Sequence, residues 1–487
     1  MTATHTFIRT DIVADQYNVE RVVIPATKNP SNPVLIPDRP WEGMNARLYG
    51  TAIYDDEEDL FKMWYISNHY PDKQVYMMYA TSRDGLNWVK PNLGIVDYKG
   101  SRANNIFSPG KEWGVHQPSV VKHPDSPADR RYALFAHANE RGPFGRGLLL
   151  FHSPDGVRWT PHAKNPVAEG HAEVWNVTWD ESTETYLATG KVPTESGRSV
   201  GVSISPDGVI WEPENHLILK GGDRDHWIGI TRAAGLWYNP PHRRVPELDE
   251  VRQPSEHDQH AGQIYGMPAF RYADVYLAFP WAYHSDALME PQLAWSTDRI
   301  NWVRDPQRTC LIERGRQGSF DSKMIMGTAT HPVTVGNELW LYYGGWDVRH
   351  HYPVSDENPW KGAAIGLARW RLDGFVAMVN VSGNQPTLVT SGKPGWVRTR
   401  SLKVAGSHLL VNADATLGTI DVDVCDPETG KALPGYSREE CLSVRHDSLR
   451  AEILWTGGNL ERLVGEEIAL NFHINNASLY SFSFLAN

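Results

Sequence analysis

Three carboxylates stand at matching places along this chain. Glu42, Glu173 and Asp321 each lie just ahead of an apolar, strand-like run. Two or three acids facing one cleft are what cleavage of an acetal bond requires. One must be held protonated to give the leaving oxygen a proton. Another must stay ionised, as nucleophile or as base for water, and a third can tune the pair. Glu173 suits the acid role, because it heads an apolar run and follows His171 in a polar loop. Glu42 and Asp321 suit the nucleophile or base and its partner. Each also has a plainer reading. Glu42 after Pro40-Trp41 suits a carboxylate that bonds loop amides, and Gly318-Ser319-Phe320-Asp321-Ser322 suits an ordinary turn.

Polar and aromatic residues accompany the three acids at the same kind of position. They are Trp41, Asn45 and Arg47, then His116 and Gln117, then His171 and Asn176. Further along come Asp223, Asp225 and His226, then His260, Gln263 and Tyr265, then Ser322 and Lys323. For substrate contact the candidates are Trp41, Asn45, Arg47, His116, Gln117, His171, Asp225, Gln263, Tyr265 and Lys323. Neither H-x-E-x-H nor H-E-x-x-H occurs among the 20 histidines, so neither a metal nor another cofactor is expected. His350-His351 reads as a loop pair.

The elements that must position these residues are announced by a repeat. Ser82-Arg83-Asp84-Gly85-Leu86-Asn87-Trp88 returns with Asp155-Gly156 and Trp159, with Asp207-Gly208 and Trp211, and with Asp298-Arg299 and Trp302. A fainter copy is Leu372-Asp373-Gly374-Phe375. Asp-Gly is a turn signal, since Gly tolerates positive φ and Asp bonds its own backbone. The repeat aspartates therefore read as turn residues, although they are the most conspicuous acids.

Each copy follows strand-like runs. They include Leu48 to Tyr54, Leu60 to Ile66 and Val75 to Thr81, and, later, Val174 to Asp180, Thr185 to Gly190 and Ser199 to Ile204. A fourth set is Ile264 to Tyr272, Val275 to Trp281 and Pro291 to Trp295, and a fifth runs from Met324 to Trp370. Repetition of one strand–turn unit means several equivalent sheets. The expected fold is all-β: a five-bladed β-propeller over 34–380, followed by a β-sandwich over 381–487. Residues 1–33 are expected to add short strands to one or the other. The intervals between repeat aspartates are 71, 52, 91 and 75 residues. A blade needs roughly 40–50, so the excess is loop, and loops carry function. Tyr238 to Ala261 reads as a long loop over the site.

Bulk composition narrows the class. With 487 residues, 41% apolar and 22% charged, the chain is that of a globular protein with a large core. A formal charge of −11 argues against nucleic acid as partner, which needs a basic face. The opening residues show no basic segment followed by an apolar stretch, and no apolar run reaches about 18 residues, so no membrane is expected. The cysteines Cys310, Cys425 and Cys441 are few and odd in number, which fits a reducing, cytoplasmic compartment. A homo-oligomer is compatible with all of this.

The layout resembles a known group. Five blades, a Ser-x-Asp-Gly-x-x-Trp turn and a C-terminal sandwich look like the propeller glycoside hydrolases of families 32, 43, 68 and 117. The two-domain arrangement is most similar to family 32, the β-fructofuranosidase group. Family 32 carries W-M-N-D-P-N-G, with the Asp as nucleophile. Here Gly43-Met44-Asn45-Ala46-Arg47 stands in that place, with Ala46 at the Asp. Family 32 carries R-D-P where this chain has His116-Gln117-Pro118, and its Glu-Cys acid has a counterpart in Glu173 of Ala172-Glu173-Val174. The resemblance implies an exo-acting glycosidase or related transglycosylase on a short oligosaccharide, with a fructosyl or arabinofuranosyl furanoside as first expectation. Family 117 uses a His as acid, which keeps His116 and His171 in play. Two other readings stay open: a non-catalytic carbohydrate-binding propeller, and a lyase on uronates using His or Tyr with an Arg. Arg47, Arg232 and Lys323 would suit an anionic sugar.

Overall fold

A computed structural model describes residues 3–69, 74–108, 115–138, 145, 147–169, 173–194, 197–211, 263–284, 287–350, 362–380 and 393–486. Within these the chain is all-β, with a few 3-10 turns. Blade one is Arg47–Asp55, Leu60–His69 and Gln74–Ser82. Blade two is Val115–Lys122, Tyr132–Ala138 and Gly147–Ser153, edged by Thr160–Pro161 and Ala168–Glu169. Blade three is Glu173–Asp180, Thr185–Thr194 and Gly197–Ser205. These runs are rich in aliphatic and aromatic residues, which fit a pleated, buried surface.

Blade four differs from the continuous strands expected of it. Each of its first three strands is broken, into Gln263–Ile264 and Ala269–Tyr272, Val275–Ala278 and Trp281–Tyr283, and Met289–Pro291 and Ala294–Ser296. Prolines sit at the breaks: Pro268, Pro280 and Pro291. Proline cannot donate to a ladder, so the strand yields there. The upper halves swing over to blade five, where Met289 pairs in parallel with Met324. Blade five is Met324–Thr328, Glu338–Trp346 and Ala363–Arg371. Its outermost strand is Thr27–Lys28, so the N-terminal segment closes the last blade.

The inner strands of blades one, two and three touch in sequence, blade three touches Ala269–Tyr272 of blade four, and Met324–Thr328 returns to blade one. Five sheets thus ring one axis. Beyond the propeller two sheets face each other. One contains Glu20–Val23, Val376–Asn380, Ala477–Leu485, His408–Asp414 and Asp447–Ile453, with Ala3–Thr6 added. The other contains Val13–Tyr17, Gly395–Thr399, Glu467–Asn475 and Leu402–Lys403, with Thr419–Cys425 added. Phe472 from the second sheet packs on Phe482 from the first at 5.2 Å, and Phe7 leans on both. The sandwich therefore begins at Val376, ahead of the 381 boundary. Residues 3–28 serve both units, with three strands in the sandwich and one in blade five.

The repeat is a joint between blades. Asp84 Oδ1 accepts the backbone N–H of Leu86 and Asn87 at 2.9 and 2.8 Å, and Ser82 Oγ donates to it. The same pattern recurs at Asp155, Asp207 and Asp298. At Asp84 the bond from the Asn87 amide leads, and together these bonds hold the carboxyl well below the usual range. Gly85, Gly156 and Gly208 all have positive φ, and each is wedged between aromatics of two blades. A Cβ on Gly156 would lie 2.9 Å from Trp64 of blade one and 3.5 Å from Tyr132 of blade two. Trp64 Nε1 also donates to the Gly156 carbonyl at 2.7 Å. At Gly85 the neighbours are Phe61 of blade one and Tyr342 of blade five, whose hydroxyl donates to the Gly85 carbonyl.

Gly94 supplies a control, because it has nearly the same φ, +71° against +75°, with nothing within 4 Å. Gly94→Ala is expected to lose about 1 kcal/mol from left-handed strain alone. Gly156→Ala should lose roughly 1–3 kcal/mol more, because Trp64 must move. Thermal melting of the two variants checks this. Equal shifts would mean that the turn does not act as a wedge.

Candidate functional site

The inner strands are not regular. Their pairing slips between Arg47 and Thr51, between His116 and Ser119, between Glu173 and Asn176, and between Ile325 and Thr328. Four blades thus carry an irregularity at about the same level, near the start of the inner strand. Such bulges bend a strand and re-aim its side chains. Two non-glycine residues here adopt left-handed backbone, Gln117 at φ 64° and Val174 at φ 58°. Strain of this kind, of order 1–3 kcal/mol per residue, collects at functional sites. Gln117 Oε1 accepts the Val174 N–H at 2.8 Å, which ties the bulge of blade two to that of blade three. The residue so fixed is the neighbour of Glu173. Glu173 stands across from Lys191 in the ladder.

An aromatic and cationic cluster lies at this end of the axis. Tyr265, at the break in blade four, is its centre. Its hydroxyl bonds His350 Nε2 at 2.9 Å. Lys191 Nζ sits 4.3 Å from its ring centroid and the Arg198 guanidinium carbon 5.3 Å. Arg198 also lies 5.5 Å from the ring of Tyr283, and its backbone N–H donates to Gln263 Oε1 at 3.1 Å. Arg47 reaches in from blade one, stacked 4.4 Å from Trp346 of blade five. Burial pulls the Arg47 guanidinium down to about 10, against the opposing pull of Tyr49 and Tyr265. It stays charged at neutral pH. Arg47 and Lys191 are buried and Arg198 half-buried. The site thus draws on blades one, three, four and five.

Of the sequence candidates, Arg47, Gln263 and Tyr265 meet here, and Gln117 braces the bulges next door. Lys323 is half-buried at the head of blade five's inner strand, its N–H bonded to the Trp346 carbonyl. His116 and Glu173 are described as backbone only. His171 and Asp225 lie outside the described residues. Lys191, Arg198, Tyr283, Trp346 and His350 were missed. They sit on middle and third strands or on the blade-five loop, whereas only the heads of inner strands had been read. Lys191 in the run Leu187-Ala188-Thr189-Gly190-Lys191-Val192 is the signal that was available, a cation inside an apolar strand.

Two expected catalytic acids belong elsewhere. Glu42 is fully buried in the one-turn segment Pro40–Glu42. Its Oε2 accepts the N–H of Asp38 and of Arg39 and the Lys90 ammonium at 2.7 Å; its Oε1 accepts the Tyr65 hydroxyl at 2.7 Å. Four donors leave it no site for a substrate. Trp41 serves the same loop: its Nε1 donates to Asn105 at 2.7 Å and its ring meets the edge of Tyr98. Asn45 follows, buried, with its N–H on the Glu42 carbonyl. Asp321 is bound in like fashion. Lys28 and the Tyr343 hydroxyl reach its Oδ2 at 2.5 and 2.8 Å, and Ser319 reaches Oδ1. Burial, then the adjoining carboxylate, pushes the phenols of Tyr65 and Tyr343 far up, so both remain donors. Both acids are ion-paired with a lysine.

Among the described residues no group of three His, Cys, Asp or Glu side chains is placed to hold a metal ion.

Glu42→Gln is expected to lower the melting temperature while leaving turnover within about threefold, and Lys90→Met to lose about 3–5 kcal/mol by stranding a buried charge. A hundredfold fall in turnover by Glu42→Gln, at unchanged melting, would restore Glu42 to the chemistry.

No protein-family profile matches the chain, and no curated protein matches it by sequence. Solved structures do match. A GH32 beta-fructofuranosidase from Bombyx mori is 12% identical, with 93% of each chain covered and a TM-score of 0.42. A beta-1,2-mannobiose phosphorylase from Listeria innocua is 11% identical over 72% of this chain and 97% of its own, with a TM-score of 0.45. An N-acetylgalactosamine deacetylase structure from F. plautii is 13% identical over 74% and 97%, with a TM-score of 0.44.

Proposed function

We propose that this chain is a glycoside hydrolase whose site is the axial cluster around Tyr265, with Glu173 as general acid. The observation that carries the reading is the construction around Glu173. Its strand is bulged at that residue, and the next peptide is left-handed and clamped by Gln117 from another blade. Left-handed backbone at a β-branched valine persists only where the surroundings impose it. Fixing the backbone of Glu173 at the head of an inner strand is a use for that strain.

The chemistry follows. The Glu173 carboxyl donates its proton to the glycosidic oxygen as the bond from that oxygen to the anomeric carbon breaks. Water supplies hydroxide to the anomeric carbon, and its remaining proton passes to a base. Glu42 and Asp321, the acids expected as base and partner, are bound to lysines. Tyr265, the half-buried ring of the cluster, is the one against which a sugar ring can lie. The resemblance of the chain to family 32 favours an exo-acting enzyme on a short oligosaccharide, a furanoside first, with transglycosylation as a side route. A cytoplasmic setting and a homo-oligomer accord with this reading.

Glu173→Gln should lower turnover at least about a hundredfold, the scale for loss of a general acid, without moving the melting curve. A panel of aryl glycosides and furanose oligosaccharides, assayed for released sugar, supplies the substrate. Near-normal turnover in the variant would remove Glu173 from the acid role. Binding without release across the panel would favour a carbohydrate-binding propeller.

A further inference from the structure

We infer that the base of the proposed hydrolysis is a pair, Tyr265 and His350, which rests on the reading that the Tyr265 cluster is the substrate site of a hydrolase. The tyrosine hydroxyl takes the proton of the attacking water as its own proton passes to His350. Hydrolysis needs some group to accept that proton. Glu42 and Asp321 do not serve, because Lys90 and Lys28 hold them. The Tyr265 hydroxyl, by contrast, stands at the axis and meets His350 Nε2 at 2.9 Å.

A hydroxyl in reach of an imidazole, with the imidazole oriented by a third group, is how an enzyme draws a proton from a weakly acidic O–H. All three parts are present. The His350 backbone N–H donates to the Ala287 carbonyl at 3.2 Å. Its ring stands edge-on to Tyr283, with centroids 5.2 Å apart. Tyr283 is itself fixed in a strand, opposite Gln263 on one side and Met289 on the other. Tyr265 is positioned by its backbone. Its N–H donates to the Trp281 carbonyl at 2.9 Å. The next residue is Gly266, where a Cβ would lie 2.5 Å from the Trp281 ring and 2.8 Å from Val174. The Tyr265 peptide thus packs against the left-handed bulge of blade three, at a distance that a side chain would forbid. Tyr265 and His350 are each half-buried while Tyr283 is buried, so the pair keeps contact with solvent.

The proton transfers balance. With its own proton on Nδ1, the imidazole accepts through Nε2. One O–H bond of water breaks and its proton goes to the phenolic oxygen. The phenolic O–H bond breaks and its proton goes to Nε2. The water oxygen bonds the anomeric carbon as the bond from that carbon to the leaving oxygen breaks. The imidazolium then returns its proton to solvent. A sugar ring lying on the face of Tyr265 meets the hydroxyl at the rim of that face, where a bound water can reach it from the side. One displacement by water inverts the anomeric centre.

Dinitrophenyl glycosides test the pair by itself, because that leaving group departs without a proton and needs no general acid. Tyr265→Phe keeps the ring and removes the hydroxyl. His350→Gln keeps a hydrogen bond to the hydroxyl but takes no proton. Each should lower kcat at least about a hundredfold, the scale for loss of a general base, with KM and the melting curve unmoved. Azide, an anionic nucleophile with no proton to lose, should restore turnover in both variants and leave a glycosyl azide. The sugar first released by the wild type, followed by NMR, should be the inverted anomer. Near-normal kcat in either variant overturns the pair, and so does failure of azide to restore turnover. A loss confined to KM, or one that comes with a lower melting temperature, marks a structural brace and overturns it too. A retained anomer overturns it as well, since retention needs a nucleophile on the protein. In each of these cases the wild type still releases sugar, so the hydrolase reading stands. Release of no sugar by the wild type from any activated glycoside sinks that reading, and the base with it.

Discussion

The joint between neighbouring blades is the constraint from which the rest follows. A glycine in left-handed conformation puts bare backbone between two aromatic rings, and the carboxylate of the preceding residue holds the turn closed. The wedge needs three things at once: positive φ, no Cβ, and a side chain that satisfies two amides. Ser-x-Asp-Gly supplies all three. Where blade four has Arg299 in place of Gly, the joint is made differently. Arg299, at φ 70°, reaches back to the hydroxyls of Thr183 and Thr185 in blade three. The fifth copy replaces the wedge with a hydrogen bond, the Tyr272 hydroxyl of blade four donating to Asp373 at 2.6 Å.

A ring held by such joints at the turns leaves the opposite ends of the inner strands available for irregular backbone. That is where the bulges lie. Gln117 and Val174 can be strained because the sheets on either side are fixed by buried cores and by the wedges below. Stability is thus gathered at one end of each blade and strain at the other. The breaks in blade four extend the same division. Its lower strands keep the ring, while the upper halves turn toward blade five and bring Tyr265 and Tyr283 over the axis.

The fold was legible because it is written in local signals. Strand runs such as Leu60–His69 and Thr185–Thr194 were legible to within a few residues, since alternation and Asp-Gly turns act over short range. The breaks in blade four were marked by Pro268 and Pro280, which had been read through. The site was much less legible. Its members come from four blades and from strands at different depths, and no spacing along the chain records that Lys191 and Tyr265 share a ring face. Glu42 and Asp321 misled for a related reason. Their place ahead of a strand was right, but the lysines that neutralise them, Lys90 and Lys28, stand 48 and 293 residues away.

Those two ion pairs have a consequence for how the protein holds together. Lys28 lies on the short strand that closes blade five, and Asp321 lies ahead of the inner strand of the same blade. Their bond runs across the width of the blade, with Tyr343 of the middle strand between them. A carboxylate that looked like chemistry is therefore a latch on the closing strand. The neighbouring Arg21, on the sandwich strand Glu20–Val23, bonds buried Asp305 near the outer edge of blade four. Asp373 accepts both Tyr272 of blade four and Ser481 of the sandwich. Closure of the ring and docking of the sandwich thus use the same short N-terminal stretch and the same turn. Removing the sandwich would take Glu20–Val23 away from its sheet partners at Val376–Asn380, and the closing strand follows only a few residues later. The sandwich supports the site through that strand, by keeping the fifth blade closed and Trp346 in place beneath Arg47.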